Sequence, residues 1–144
     1  MISIILVLKK IYIPSLYQPT MENLGKILVV EDNYRWRDAM ADFLNLKGYE
    51  TIQAGDGVDA LRYLDKNSPD LMITDIYMPE VGGDELIRRV RAADKTFPII
   101  VVAALIPEIK DSNSLIYRRK PIELDELEIL VKGMLAKSRA TSSA

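Results

Sequence analysis

The sequence predicts an α/β fold built on a buried parallel sheet. Short, nearly continuous apolar runs rich in Val and Ile alternate with amphipathic segments of helical period, and Gly or Pro marks many of the joins. The chain has 144 residues, enough for one domain with a proper core, and 49% of them are hydrophobic, which excludes a disordered chain.

The elements follow in order. Ile27-Leu28-Val29-Val30 is too short for a buried helix and reads as the first strand. Asn33 to Lys47 is helical, with Trp36, Met40, Phe43 and Leu44 on one face and Gly48 just past its end. Glu50 to Ala54 is a second strand, Gly55-Asp56-Gly57 a turn, and Ala60, Leu61 and Leu64 mark a second helix. Leu71-Met72-Ile73-Thr74 is a third strand that ends at Asp75. A loop through Pro79 and the turn glycines Gly82-Gly83 leads into a helix carrying Leu86, Ile87 and Val90. Ile99 to Ala103 forms a fourth strand after Pro98, and residues 116–118 a short fifth. The last helix starts near Glu123 and buries Leu124, Leu127, Val131 and Met134.

The ends differ from this pattern. Residues 1–23 form an N-terminal extension, residues 24–137 the domain, and residues 138–144 a small polar tail after which no second domain is expected. The run Ile2–Leu8 is too short to span a bilayer, which takes about twenty residues. It lacks the flanks of a signal peptide. Two readings stand for it: the natural start is Met21, which is preferred, or the segment is an arm, disordered or docked on a sheet edge.

Composition narrows the chemistry. With no histidine and no cysteine, the chain cannot build a His general base, a Ser-His-Asp triad, a thiolate metal site or a disulfide, and it cannot donate a phosphoryl group from its own histidine. A net charge of −2 gives no footprint for nucleic acid, and the absence of disulfides suits a cytoplasmic protein. Arg88, Arg89 and Arg91 read as a solvated helix end that complements the dipole.

Parallel sheets place ligands at the carboxyl ends of their strands. Here those ends carry Glu31-Asp32, Asp75, Ala103-Ala104 and Lys120-Pro121, so three carboxylates and a lysine converge from distant parts of the chain. Carboxylates that close repel unless a cation sits among them, and an oxygen-only ligand set suits Mg²⁺. A carboxylate can attack phosphorus to form an acyl phosphate while metal and lysine neutralise the transferring group. Trp36 lies one turn past the acidic pair and is expected at the pocket rim.

Three separated motifs, Ile27-Leu28-Val29-Val30-Glu31-Asp32-Asn33, Asp70 through Pro79, and Lys120-Pro121, resemble the signature of response-regulator receiver domains of two-component signalling, of the chemotaxis-regulator type. The resemblance runs from about Lys26 to Lys137. It implies a doubly wound, flavodoxin-like sheet of five parallel strands in the order 2-1-3-4-5 with five flanking helices. It implies that Asp75 is the phosphoacceptor and that Glu31, Asp32, Asp75 and the backbone carbonyl of Tyr77 hold Mg²⁺. Lys120 would contact the phosphoryl group through a cis Lys120-Pro121 bond. The implied partners are a sensor histidine kinase or phosphotransfer protein and an unidentified downstream protein, with no direct role for nucleic acid or membrane. The implied role is that of a signalling phosphoacceptor rather than an enzyme.

Two positions depart from that pattern. Receivers carry Ser or Thr where this chain has Ala103, a hydroxyl that bonds the phosphoryl oxygen while an aromatic matching Tyr117 turns inward behind it. Thr96 lies beyond the far end of the strand and cannot substitute. The connection from strand four to strand five, residues 105–115, is minimal for a crossover containing a helix, so the fourth helix is expected to be short or irregular and a family-like dimer is in doubt. These departures motivate an alternative: a pseudo-receiver, an interaction module that phosphorylation does not switch. A phosphatase of the haloacid-dehalogenase type ranks below both, because Tyr77 stands where such enzymes have a second aspartate.

Overall fold

The computed structural model describes residues 22–142; both readings of the N-terminal run fall on residues outside this range. Five strands, β1 (Lys26–Val30), β2 (Glu50–Ala54), β3 (Leu71–Thr74), β4 (Ile99–Ala103) and β5 (Leu115–Arg119), form one parallel sheet in the order β2-β1-β3-β4-β5. The helices are α1 (Tyr34–Leu46), α2 (Gly57–Leu64), α3 (Gly83–Ala93) and α4 (Leu124–Ser142).

Apolar runs without polar alternation imply strands covered on both sides, and two cores confirm it. Ile27, Val29, Leu71, Ile73, Ile100 and Val102 face Met40 and Leu44 of α1 and Leu127, Val131 and Met134 of α4. The intervening residues Leu28, Val30, Met72, Ile99, Val101 and Ala103 face Ala60 of α2 and Leu86 of α3. This period-two division across a doubly wound sheet leaves the strand ends free to carry polar groups.

Local chemistry sets the helix boundaries. Asn33 caps α1 by accepting from Trp36 N–H at 3.2 Å, and Gly48, at φ +103, follows its end. Asp56 caps α2 by accepting from Asp59 N–H at 2.8 Å. The last helix runs to Ser142, past the point near Lys137 where the polar composition suggests a tail. Side-chain hydroxyls of Thr141 and Ser142 bond carbonyls one turn back, which lets small polar residues continue the helix.

The expected fifth helix, the short one between β4 and β5, does not form; the described residues contain four helices. The sequence there favours other bonding. Pro107 lacks an N–H, and Ser112 Oγ accepts from Ser114 and Leu115 N–H at 3.3 and 3.1 Å. Asp111 Oδ1 accepts from Tyr117 N–H at 2.9 Å, so the crossover closes onto β5 through side-chain bonds.

Candidate functional site

The carboxyl ends of β1 and β3 supply the acidic groups. Glu31 and Asp75 are buried, Asp32 is exposed, and one oxygen from each lies within 4.8 Å of the others. Asp75 is held on both sides. Its Oδ1 accepts from Ile76 N–H at 2.6 Å and Tyr77 N–H at 3.2 Å, and its Oδ2 meets Lys120 Nζ at 2.7 Å.

Lys120 reaches the site from the end of β5, through a Lys120-Pro121 bond that is cis. The ammonium bridges Asp75 and Glu31, with Glu31 Oε2 also at 2.7 Å. Burial alone would lower its pKa, but hydrogen bonds to the two carboxylates hold it above the ordinary lysine value. Burial raises the pKa of Glu31, and the bonds from Lys120 and Asn33 N–H offset that only in part. One cation among three carboxylates leaves the cluster net negative, and the donors are all oxygen. That set fits a small divalent cation such as Mg²⁺.

Gly83 makes this geometry possible. The first residue of α3 packs so close to the backbone of Asp75 and Ile76 that a Cβ there would overlap the Asp75 carbonyl oxygen and stand 2.7 Å from Ile76 Cα. Read in sequence, Gly82-Gly83 signals only a turn. The constraint comes from a backbone seven residues away, and no local pattern announces it.

Trp36 both rims and packs. It edges a hollow with Asn33, Lys120, Pro121 and Ile122 and also lies against the core, its buried indole N–H without a partner among the described residues. Arg91 is no solvated helix end: it donates to the carbonyls of Phe97 at 2.5 Å and Ser114 at 2.8 Å, tying α3 to the starts of β4 and β5. Arg88 and Arg89 do stay exposed, both bonded to Glu85. Ala103 is fully buried, and its carbonyl accepts from Lys120 N–H at 2.8 Å. Tyr117 is half-buried over the α3 face of β5, where burial pushes its hydroxyl pKa up.

The response regulator receiver domain family matches residues 27–132. The chain belongs to that family. It is 34% identical over 115 residues to sporulation initiation phosphotransferase F of Bacillus subtilis (strain 168), covering 76% of this chain and 93% of that one. It is 29% identical to response regulator MprA of Mycobacterium leprae (strain TN), covering 83% of this chain and about half, 54%, of that longer protein. Among solved structures, the receiver domain of the hybrid histidine kinase CckA superposes with a TM-score of 0.69 at 32% identity, covering 77% of this chain and 99% of that domain. The chain is thus a receiver domain of the kind used in two-component systems, a signalling module rather than a classical enzyme. No helix among the described residues is long and apolar enough to cross a membrane.

Proposed function

We propose that this receiver domain accepts a phosphoryl group on Asp75 from a phosphohistidine of a sensor histidine kinase or phosphotransfer protein and relays the signal through contacts with a downstream protein in the cytoplasm. The observation that carries this reading is the convergence of Glu31, Asp32, Asp75 and Lys120 at one edge of the sheet. Glu31, Asp32, Asp75 and the Tyr77 carbonyl would hold Mg²⁺, which offsets charge on the phosphoryl oxygens when bound.

The chain's own residues do the rest. Ile76 and Tyr77 N–H fix one oxygen of Asp75 and so orient the carboxylate. An oxygen of Asp75 forms the new bond to phosphorus as the nitrogen–phosphorus bond of the donor breaks and its electron pair returns to the imidazole. Lys120, released from its bridge to the carboxylates, pairs with the phosphoryl oxygens as a point charge.

Incubation with a small phosphoryl donor such as phosphoramidate and Mg²⁺ tests the reading. One phosphate should be gained, seen as an intact-mass shift, and both omission of Mg²⁺ and Asp75→Asn should abolish it. Equal incorporation in Asp75→Asn would overturn the assignment.

Ala103 favours a second reading, in which the pocket persists but phosphorylation does not switch the protein. A methyl group cannot donate to a phosphoryl oxygen, and a hydrogen bond to a charged group is worth about 1.5–3 kcal/mol. Beryllofluoride with Mg²⁺ separates the two: NMR shifts confined to the acidic pocket support the pseudo-receiver, and shifts that extend to Tyr117 support the switch.

A further inference from the structure

The three carboxylates of the candidate site are not held alike. Asp75 is fixed by the N–H groups of Ile76 and Tyr77 and by Lys120, and Glu31 by the N–H of Asn33 and by Lys120. Asp32 is exposed, and its side chain makes no hydrogen bond or ion pair among the described residues. What sets its direction is the peptide that joins it to Glu31. A peptide unit is planar, so a bond to the Glu31 carbonyl oxygen also fixes the plane that carries the Asp32 N–H and Cα.

That oxygen stands just past the end of β1. The ladder to β2 closes with Glu31 N–H donating to the Ala54 carbonyl at 3.1 Å, after which the chain turns at Gly55 toward α2. No backbone N–H among the described residues reaches the Glu31 carbonyl. Arg37, in the first turn of α1, supplies the donor instead. Its Nη1 donates to that carbonyl at 2.8 Å, and its Nε donates to Gln53 Oε1 on β2 at 3.1 Å. A Cβ on Gly55 would stand 3.4 Å from Nη1, so the guanidinium lies against the turn that leaves β2. A planar fork anchored at two points holds its acceptor in a fixed direction. Both acceptors are neutral oxygens, and Arg37 makes no ion pair among the described residues, so what it contributes is direction rather than neutralisation.

We propose that Arg37 is a positioning residue for the cation site: through the Glu31 carbonyl it aims the Asp32 carboxylate at the space shared with Glu31 and Asp75. The inference rests on the reading in which these three groups hold Mg²⁺. Groups that orient a metal ligand govern affinity nearly as much as the ligand does.

Trp36 is the sole tryptophan of the chain and edges a hollow with Lys120, so its fluorescence can follow a titration with MgCl₂. In the full-length protein, Arg37→Gln should raise the Kd for Mg²⁺ roughly tenfold. Gln53→Ala, at an exposed position, leaves Arg37 in place but frees one end of its fork, and should raise the Kd by roughly threefold. In an Asp32→Asn background both effects should shrink to less than about twofold, because the carboxylate that Arg37 aims is gone. A merely structural role would weaken binding equally in the two backgrounds, and that result would overturn the proposal. So would an unchanged Kd, or a lower one, which would make Arg37 a charge that repels the cation. Absence of Mg²⁺ binding by the unaltered chain would sink the cation reading itself, whereas normal binding by that chain with the wrong response in the variants sinks the role of Arg37 alone.

Discussion

The two halves of the sheet edge are built differently. At the β1–β3 half, Glu31, Asp32 and Asp75 meet Lys120 in a packed arrangement in which the ammonium bridges two buried carboxylates. At the β4–β5 half, Ala103 ends the strand without a polar side chain, and the crossover that follows has no helix and leaves a groove. Under the proposed phosphoacceptor reading, the groups that would take up a phosphoryl group and those that would respond to it lie on separate parts of one sheet. Receiving a charge requires converging polar atoms at strand ends. Transmitting it requires a second position that can bond the new charge and move.

Substitution can sharpen that division, beginning with the side expected to be rigid. Gly83→Ala places a methyl group into the backbone of Asp75 and Ile76, where no flexible side chain can yield. A loss of about 3 kcal/mol or more is expected in urea unfolding, together with loss of phosphoryl incorporation. Gly133→Ala is the matched control: a Cβ there meets nothing within 4 Å, and removing glycine from the interior of α4 should add about 1 kcal/mol. Similar behaviour of the two variants would break the claim that the acidic half is sterically defined.

Lys120→Ala removes the cation between Glu31 and Asp75 and should cost about 3 kcal/mol, since it strands two buried carboxylates. Added Mg²⁺ should restore more stability to this variant than it adds to the unaltered chain, as thermal melts with and without the ion would show.

On the other half, Ala103→Thr tests whether one hydroxyl is the missing element of the response. The site is fully buried, so overpacking should cost about 1–2 kcal/mol in the unmodified protein. With beryllofluoride bound, the new hydroxyl should carry the NMR shift to Tyr117. If Tyr117 stays unmoved, the absent helix rather than the absent hydroxyl is what uncouples this half.

Glu31→Gln should give the smallest change. The folded-state pKa of Glu31 is raised, chiefly by burial, so its ionisation in the folded protein costs stability as pH rises from the ordinary glutamate value toward the folded one. Above that window the glutamine variant should melt higher than the unaltered chain in the absence of metal and gain less from Mg²⁺. A variant that melts lower at neutral pH would show that the bond to Lys120 outweighs the burial of Glu31.

Much of this molecule was legible from residue order because the relevant forces act over short distances. Unbroken apolar runs such as Ile27–Val30 and Ile99–Ala103 can form only strands covered on both faces, and the helical spacing of Met40 and Leu44 decides which side of α1 turns inward. The strand ends then bring Glu31, Asp32, Asp75 and Lys120 to one edge, so the candidate site follows from the fold class and the order of elements. Ala103 stands out as an absent hydroxyl only against the resemblance to receiver domains, because nothing in periodicity or strand order calls for a hydroxyl there. The tertiary structure alone decided the rest. Gly83 matters because the Asp75 backbone lies against it, Arg91 because the carbonyls of Phe97 and Ser114, just before β4 and β5, come within its reach, and the groove because the Asp111 and Ser112 side chains bond β5 instead of allowing a helix. Each is a contact between segments whose distance apart is set by packing, a quantity that periodicity and composition do not carry.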